Sequence, residues 1–258
     1  MRYGALSTAV LLCAVPPPDR AMAADAARRE GIVIRDDRPD SLYLALGERS
    51  PAVGRIGRRG DGTLVSPTWV LTAAHVAAGL ERADVPVVFG DRGYQVRRVV
   101  LHPDWVELGP HDIALVELAE PVTGIAPIPF YAGRGEVGRI ATLVGHGDTR
   151  SAVGGPWVRD GRRRGATSRV EGVDGPRLVF RFDRPPAGTE LEGAPGRGDS
   201  GGPALLDVDG SVAVAGVSSA GFDGEAGPGT YGAVDHYTRV SDHLDWLRRT
   251  MASASMPR

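Results

Sequence analysis

Cysteine is almost missing from this sequence: Cys13 is the only one in 258 residues. A disulfide within the chain is therefore excluded, and the packing of the core has to stabilise the fold without one. Cys13 also lies inside the N-terminal segment that resembles an export signal, so that a processed chain would contain no thiol.

Lysine is missing altogether, so that all 30 basic residues are arginine. The formal net charge is only -2. This balance gives neither a basic patch for nucleic acid nor an acidic tail, so that we expect no nucleic-acid partner. Long hydrophobic runs are missing as well. The apolar stretch at residues 6–15 is shorter than the about 20 residues that a spanning helix needs, so we expect no stable membrane association.

The N-terminus has the pattern of a signal peptide. Arg2 supplies a positive start, residues 6–15 are largely apolar, and Ala21 and Ala23 are the small residues that precede a cleavage site. Cleavage after Ala23 would release a secreted protein, extracellular or periplasmic.

What the sequence has in abundance is glycine and proline, with 36 and 20 residues, between short apolar runs rich in β-branched residues. This pattern predicts an all-β barrel or sandwich. The runs are SLYLAL (41–46), VPVVFG (85–90), YQVRRVVL (94–101), DIALVEL (112–118), RIATLVG (139–145), RLVFRF (177–182) and SVAVAGV (211–217).

Only the C-terminus has helical periodicity. Leu244, Leu247 and Met251 fall on one face of a segment that Ser241 could cap. We expect a short helix over about residues 241–251.

Three stretches together suggest covalent catalysis. Ser200 lies in GRGDSGGPALL (196–206), His75 in WVLTAAHVA (69–77), and Asp112 in HDIALVEL (111–118). Taken singly, the serine could be a turn residue, the histidine a structural residue and the aspartate a cap. Taken together, they supply a nucleophile, a base and an acid that orients the base.

The order and the sequences of these motifs resemble those of the trypsin/chymotrypsin family of serine proteases. The matching segments are TAAH (72–75), DIAL (112–115), GDSGGP (198–203), VGHG (144–147), GVSSAG (216–221) and YTRVSDHLDWL (237–247). The resemblance implies two packed six-stranded antiparallel β-barrels with a short C-terminal α-helix. It divides the protease domain, residues 32–258, into barrels at about 32–130 and 131–240 and the helix at 241–251.

The resemblance also implies the roles of individual residues. His75, Asp112 and Ser200 would be catalytic, and the N–H groups of Gly198 and Ser200 would form the oxyanion hole. It implies protein or peptide substrates and no metal or cofactor, and the histidines show no HExxH spacing for zinc.

Four further residues would bind substrate: Ala194 at the base of the primary pocket, Ala220 and Gly221 along one wall, and Ser219, which would also bond Asp112. Ala194 carries no charge, so that this assignment favours an apolar or uncharged side chain before the cleaved bond. One alignment of the last strand places Asp235 in the pocket floor and would favour a basic side chain. Another alignment places Gly229 there.

The chain departs from the family at its cysteine positions. Val76 and Gly196 stand where relatives commonly have cysteine, as in disulfide-free bacterial members. Activation is a second question, because relatives bury a new N-terminus against the acid that stands here as Asp199. Ile32 could provide such a terminus, with residues 24–31 as a propeptide, although Gly31 is not the basic residue after which relatives are cut.

Three other classes of function compete with a protease. GDSGG also fits the nucleophile turn of an α/β hydrolase, but strands rather than a helix follow it. Two Arg-Gly-Asp triplets, at 59–61 and 197–199, would suit an adhesion protein. A catalytically inactive homologue that acts as a binding protein is the stronger alternative, and the three intact catalytic residue types argue against it.

Overall fold

The computed structural model describes residues 32–80 and 84–253. The expected signal peptide (1–23) and propeptide (24–31) lie outside these residues. Within the described ranges, no helix combines the length and apolar character needed to cross a bilayer.

The chain forms short strands, two longer helices and single helical turns. The strands are β1 (Val33–Ile34), β2 (Val53–Ile56), β3 (Gly60–Ser66), β4 (Trp69–Thr72), β5 (Val87–Phe89), β6 (Arg92–Tyr94), β7 (Val96–Leu101), β8 (Ala114–Leu118), β9 (Ile140–Gly145), β10 (Thr149–Ser151), β11 (Gly154–Val158), β12 (Arg164–Asp174), β13 (Arg177–Arg181), β14 (Gly193–Ala194), β15 (Pro203–Val208), β16 (Ser211–Phe222) and β17 (Val234–Arg239). The helices are α1 (Asp40–Glu48), α2 (Ala74–Ala77) and α3 (Leu244–Ser253), with a 3₁₀ turn at Val240–Asp242.

The first large sheet places the end of β4 beside the start of β8. Its strand order is β6-β5-β2-β3-β4-β8-β7, and every neighbouring pair is antiparallel. Thr72 at the end of β4 pairs with Ala114 at the start of β8. The residues that follow β4 therefore lie next to those that precede β8.

The second half closes into a barrel of six strands in the order β12-β13-β17-β16-β15-β9. With the barrel-like first sheet and the C-terminal helix, this confirms the predicted all-β double-barrel fold. The first sheet has seven strands in the described residues rather than six, because the turn after Phe89 adds the short strand β6.

The N-terminal residues belong to the second half, which moves the expected boundary of the first barrel at residue 32. β1 pairs with β10 and β14 in a separate four-stranded sheet. Helix α1 lies so close to the start of β12 that a Cβ on Gly47 would be 2.8 Å from the carbonyl carbon of Arg164. Residues 33–48 therefore pack on the second half before the chain enters the first sheet at β2.

The run SLYLAL is a helix, so the predicted strand at 41–46 is wrong. Tyr43, Leu44 and Gly47 are buried, whereas Leu42 is 41% exposed. Burial at positions i, i+1 and i+4 follows a helix face, not the alternation of a strand. Leucine and alanine also favour helix over strand.

The C-terminal helix begins later than expected, at Leu244 instead of about residue 241. Ser241 does not cap it, because its Oγ donates to Glu136 Oε1 at 2.9 Å and is committed to that carboxylate. The predicted apolar face is correct. Leu247 is fully buried, and Leu244 and Met251 pack against the same core.

A buried ion pair fixes the segment that leads into this helix. Arg239 donates to both carboxylate oxygens of Glu136, at 3.0 and 2.6 Å, and Glu136 is fully buried. Burial alone would raise the pKa of Glu136, but the hydrogen bonds from Arg239 and Ser241 outweigh it and hold the pKa below the ordinary 4.5. Its contribution to stability is therefore present above that pH and is lost as the pH falls further.

We expect Glu136→Ala to lower the free energy of unfolding by about 3–5 kcal/mol, because it leaves the Arg239 guanidinium buried without its partner. Urea denaturation measures the loss. The control is Glu120→Ala, which removes an ion pair with Arg92 whose side chains are 52% and 56% exposed. It should cost no more than about 1 kcal/mol, and equal losses in the two variants would contradict the assignment.

Candidate active site

His75 and Asp112 meet at the paired ends of β4 and β8. After β4 the chain turns into the single-turn helix α2, which carries His75, and Asp112 lies two residues before β8. His75 Nδ1 is 2.6 Å from Asp112 Oδ2, and the His75 backbone N–H donates to Asp112 Oδ1 at 2.9 Å. Because a carboxylate only accepts, Nδ1 carries the proton and Nε2 keeps a free lone pair.

The second half of the molecule completes the shell of the Asp112 carboxylate. Ser219 Oγ on β16 donates to Asp112 Oδ2 at 2.7 Å, the contact that the family resemblance implied. Thr238 Oγ1 on β17 donates to the Asp112 carbonyl at 2.8 Å. Asp112 is 4% exposed, so that its carboxylate is shielded from water. Hydrogen-bond donors from both halves stabilise it instead.

Ser200 lies in the turn between β14 and β15 and faces the same cavity as His75. This cavity has a volume of about 390 Å³. The Ser200 carbonyl accepts a hydrogen bond from Asp61 N at 2.8 Å, which ties the turn to β3 of the other half. Gly201 has φ +81°, and a Cβ there would be 2.2 Å from Thr72 Oγ1. Only glycine allows the turn to approach β4 this closely.

The peptide before Gly198 is fixed by its carbonyl. Arg197 O accepts a hydrogen bond from Asp148 N at 3.0 Å, and Gly198 has φ +90°. In a trans peptide the N–H points opposite to the C=O. The Gly198 N–H is therefore directed away from Asp148.

Asp199 is fully buried beside the serine turn. Its carboxylate accepts hydrogen bonds from Gly147 N at 3.1 Å and Gly196 N at 3.0 Å. Burial and the neighbouring Asp61 carboxylate raise the pKa of Asp199 well above its ordinary value. A Cβ on Gly145 would be 1.8 Å from Asp199 Oδ1, so the backbone of β9 forms the wall of this chamber.

Sequence reasoning missed the hydrogen-bonded pair of Asp61 and His146 beside the serine turn. Asp61 Oδ1 is 2.8 Å from His146 Nδ1, and the His146 backbone N–H donates to Asp61 Oδ2 at 2.9 Å. Asp61 is fully buried. No local pattern in the sequence marks this pair, because its two members are 85 positions apart.

The same geometry removes the adhesion hypothesis. The aspartates of the two Arg-Gly-Asp triplets are Asp61 and Asp199, and both are fully buried and hydrogen-bonded inside the chain. Neither carboxylate can reach an external receptor in this fold.

The cavity contains some of the expected substrate-binding residues and not others. Ser219, Ala220 and Gly221 line it, as expected. Ala194 does not, which corrects its placement at the pocket base. Ala194 pairs with Val33 of β1 and is buried in an apolar cluster, because β1 covers the strand that carries it.

Asp235 lines the cavity and is 3% exposed. Gly229 does not line it, and a Cβ on Gly229 would be 2.7 Å from the Val33 side chain. Of the two residues that the alternative alignments placed in the pocket floor, Asp235 is therefore the one that lies in the cavity lining. Residues that the sequence analysis missed also line the cavity: Glu107, Leu108, Arg177, Pro195, Ser218, Phe222 and His236.

Comparisons with known proteins agree with this geometry. Residues 46–247 match the family model described as Trypsin. The chain is 32% identical over 238 residues to the complement C1s subcomponent of Bos taurus, an alignment that covers 76% of this chain and 33% of that protein. It is 31% identical over 213 residues to snake venom serine proteinase 14 of Crotalus adamanteus, covering 74% and 77% of the two chains.

The fold has solved counterparts. A structure of neuropsin, a serine protease expressed in the limbic system of mouse brain, superposes with a TM-score of 0.64. The superposition covers 85% of this chain and 99% of that one at 21% identity, so that it supports the fold alone. The present chain spans only about a third of complement C1s.

Proposed function

Because the chain belongs to the trypsin family of serine endopeptidases, we propose that it hydrolyses peptide bonds through His75, Asp112 and Ser200 and an acyl-enzyme intermediate. The observation that carries this proposal is the buried Asp112 carboxylate bonded to His75 Nδ1 at 2.6 Å, in the cavity that Ser200 also lines.

In the proposed reaction, the Ser200 hydroxyl attacks the substrate carbonyl while His75 Nε2 accepts its proton. The imidazolium that forms is stabilised by Asp112 and then protonates the leaving amine. A Ser200 ester remains. Water attacks this ester with His75 again as the base, which releases the acid product and restores the serine.

We assign the oxyanion hole to the backbone N–H groups of Gly198 and Ser200. The negative oxygen of the tetrahedral intermediate needs donors that are already fixed in place, and one such donor contributes about 2.7–4 kcal/mol in an unrelated serine protease. The positive φ of Gly198 and the hydrogen bond that holds the Arg197 carbonyl support a preorganised peptide at this position.

We further propose that the protein is exported and acts on proteins or peptides. The N-terminal pattern of Arg2, an apolar stretch and Ala21–Ala23 supports export. An exported chain usually gains stability from disulfides, which the single Cys13 rules out here. Detection of a chain that lacks residues 1–23 in the culture medium or periplasm would test this proposal.

Ser200→Ala should lower kcat by about a millionfold, the scale measured for loss of the serine in an unrelated serine protease. A fluorophosphonate probe, which reacts with activated serines, should label the parent chain and not this variant. Ser211→Ala changes an exposed serine at the start of β16 and should keep both labelling and activity. Failure of the parent chain to cleave any member of a mixed peptide library would favour the inactive binding homologue.

Asp235 should set the primary specificity. The apolar expectation rested on Ala194, which is not among the residues that line the cavity, and on the small residues Ala220 and Gly221, which are. Asp235 adds a buried carboxylate to the same lining, and this charge supports the opposite preference. We therefore expect a preference for Arg or Lys before the cleaved bond. A hydrogen bond to a charged group contributes about 1.5–3 kcal/mol, so that Asp235→Asn should lower kcat/KM for these substrates by about ten- to a hundredfold.

Matched peptides with Ala, Val, Leu, Phe, Lys or Arg at that position measure the preference. The control is Glu171→Gln, which removes one negative charge at an exposed position of β12 and should leave the preference unchanged. A preference for apolar residues that persists in Asp235→Asn would restore the apolar hypothesis.

A chain that begins at Ile32 should be the fully active form. Ile32 is 1% exposed and β1 lies against β14, the strand that leads into the serine turn. A new ammonium group here would compensate the buried Asp199 carboxylate, which is costly without a cation. We expect the chain that begins at Ile32 to be at least about tenfold more active than one that begins at Gly31, whose ammonium is displaced by one residue.

N-terminal sequencing of the mature protein gives an independent answer. Full activity of chains that begin at Ala24 would show that Asp199 is satisfied in another way.

A further inference from the structure

A second cluster of imidazoles lies outside the catalytic constellation. It consists of His102, His111 and His243, and one ring nitrogen from each lies within 4.8 Å of the others. The His102 backbone N–H donates to Ile113 O at 3.1 Å, which extends the β7–β8 ladder and places His102 beside the segment that carries His111. His243 follows the 3₁₀ turn that precedes α3.

Two of these rings already face each other through nitrogen atoms. His111 Nδ1 is 3.0 Å from His243 Nε2. His243 Nδ1 is 2.8 Å from the Arg239 carbonyl and donates to it, because a carbonyl only accepts. The Nε2 of His243 is therefore the atom with the free lone pair. A backbone carbonyl that holds the second nitrogen is the usual support of a histidine that binds a metal.

His102 is the third member of the cluster, and its ring packs against both of the other imidazoles. His102 stacks on His111 with centroids 5.2 Å apart, meets the edge of His243 at 5.0 Å and contacts Trp246 at 4.8 Å. Its one hydrogen bond among those the structure gives for its ring, from Asp104 N, is long at 3.3 Å. Binding of a metal by His102 would therefore disturb little more than this one long hydrogen bond.

We propose that His102, His111 and His243 form a Zn²⁺ site that regulates the protease. Three neutral imidazoles with one position left for water are a donor set that zinc accepts. No proton is lost from the cluster on binding. The ring protons of His111 and His102 move to the nitrogens that do not face the metal, and the metal replaces the His111–His243 hydrogen bond.

The regulatory effect rests on the proposed function and follows from the position of His111. It directly precedes Asp112, which holds His75 at 2.6 Å. A metal that draws His111 towards His102 and His243 therefore acts on the backbone of the orienting acid. We expect bound zinc to lower kcat with little change in KM.

The test for the site does not need activity. Calorimetric titration of the full chain with Zn²⁺ alone should give one equivalent, and Co²⁺ should give the visible absorption of a tetrahedral site. His102→Gln and His243→Gln should each weaken binding at least about tenfold. His75→Ala removes the catalytic imidazole as a competing ligand and should leave binding unchanged.

Thermal unfolding separates loss of the site from loss of the fold. Zinc should raise the Tm of the parent chain and not that of His102→Gln, whose metal-free Tm should match the parent's because this ring is only partly buried. Binding that survives both cluster variants, or disappears in His75→Ala, would overturn the site. One equivalent bound at the cluster with unchanged peptide hydrolysis would overturn its coupling to Asp112. Binding in a chain that hydrolyses no peptide would keep the site and reject the proposed function instead.

Discussion

The Asp112 carboxylate is the point on which the arrangement of the two halves depends. It accepts both the ring and the backbone N–H of His75 from the first half and the Ser219 hydroxyl from the second. A charge this deeply buried is stable only when its lone pairs are satisfied. The carboxylate therefore holds the catalytic imidazole and also fixes where β16, the strand that carries the cavity wall, lies against the first sheet.

The serine turn depends on the same kind of junction, built from backbone. Asp61 N bonds the Ser200 carbonyl, and Gly201 leaves room for the side chain of Thr72. Two physical requirements thus account for the residues of the GDSGG motif. The serine is needed for its proposed chemistry, whereas Gly201 is needed because the turn is pressed against the other half. A side chain in place of Gly201 would push the turn away from β4, and would thereby move Ser200 away from His75.

The sequence was sufficient for the features that local chemistry determines. The motif order predicted which histidine, aspartate and serine to consider, the fold that contains them and the Ser219 bond to Asp112. The strand prediction at 41–46 failed because a short apolar run has no clear period. Ala194 was misplaced because β1, far away in sequence, covers it. The Asp61–His146 pair and the three-histidine cluster depend likewise on contacts across long stretches of chain.

Buried ion pairs join separate segments of this fold, in which no disulfide is available to do so. Glu136 is held by Arg239, and Arg164, 2% exposed, donates to Asp40 on α1 and to Asp160. Buried pairs of this kind are often no more stabilising than apolar residues of equal volume. They are, however, far more selective about position, since a displaced partner leaves a charge unpaired. Arg164 fixes α1 against β12, and Glu136 fixes the approach to α3. In a chain that cannot crosslink itself, these directional bonds locate the segments that the apolar core alone would leave free to slide.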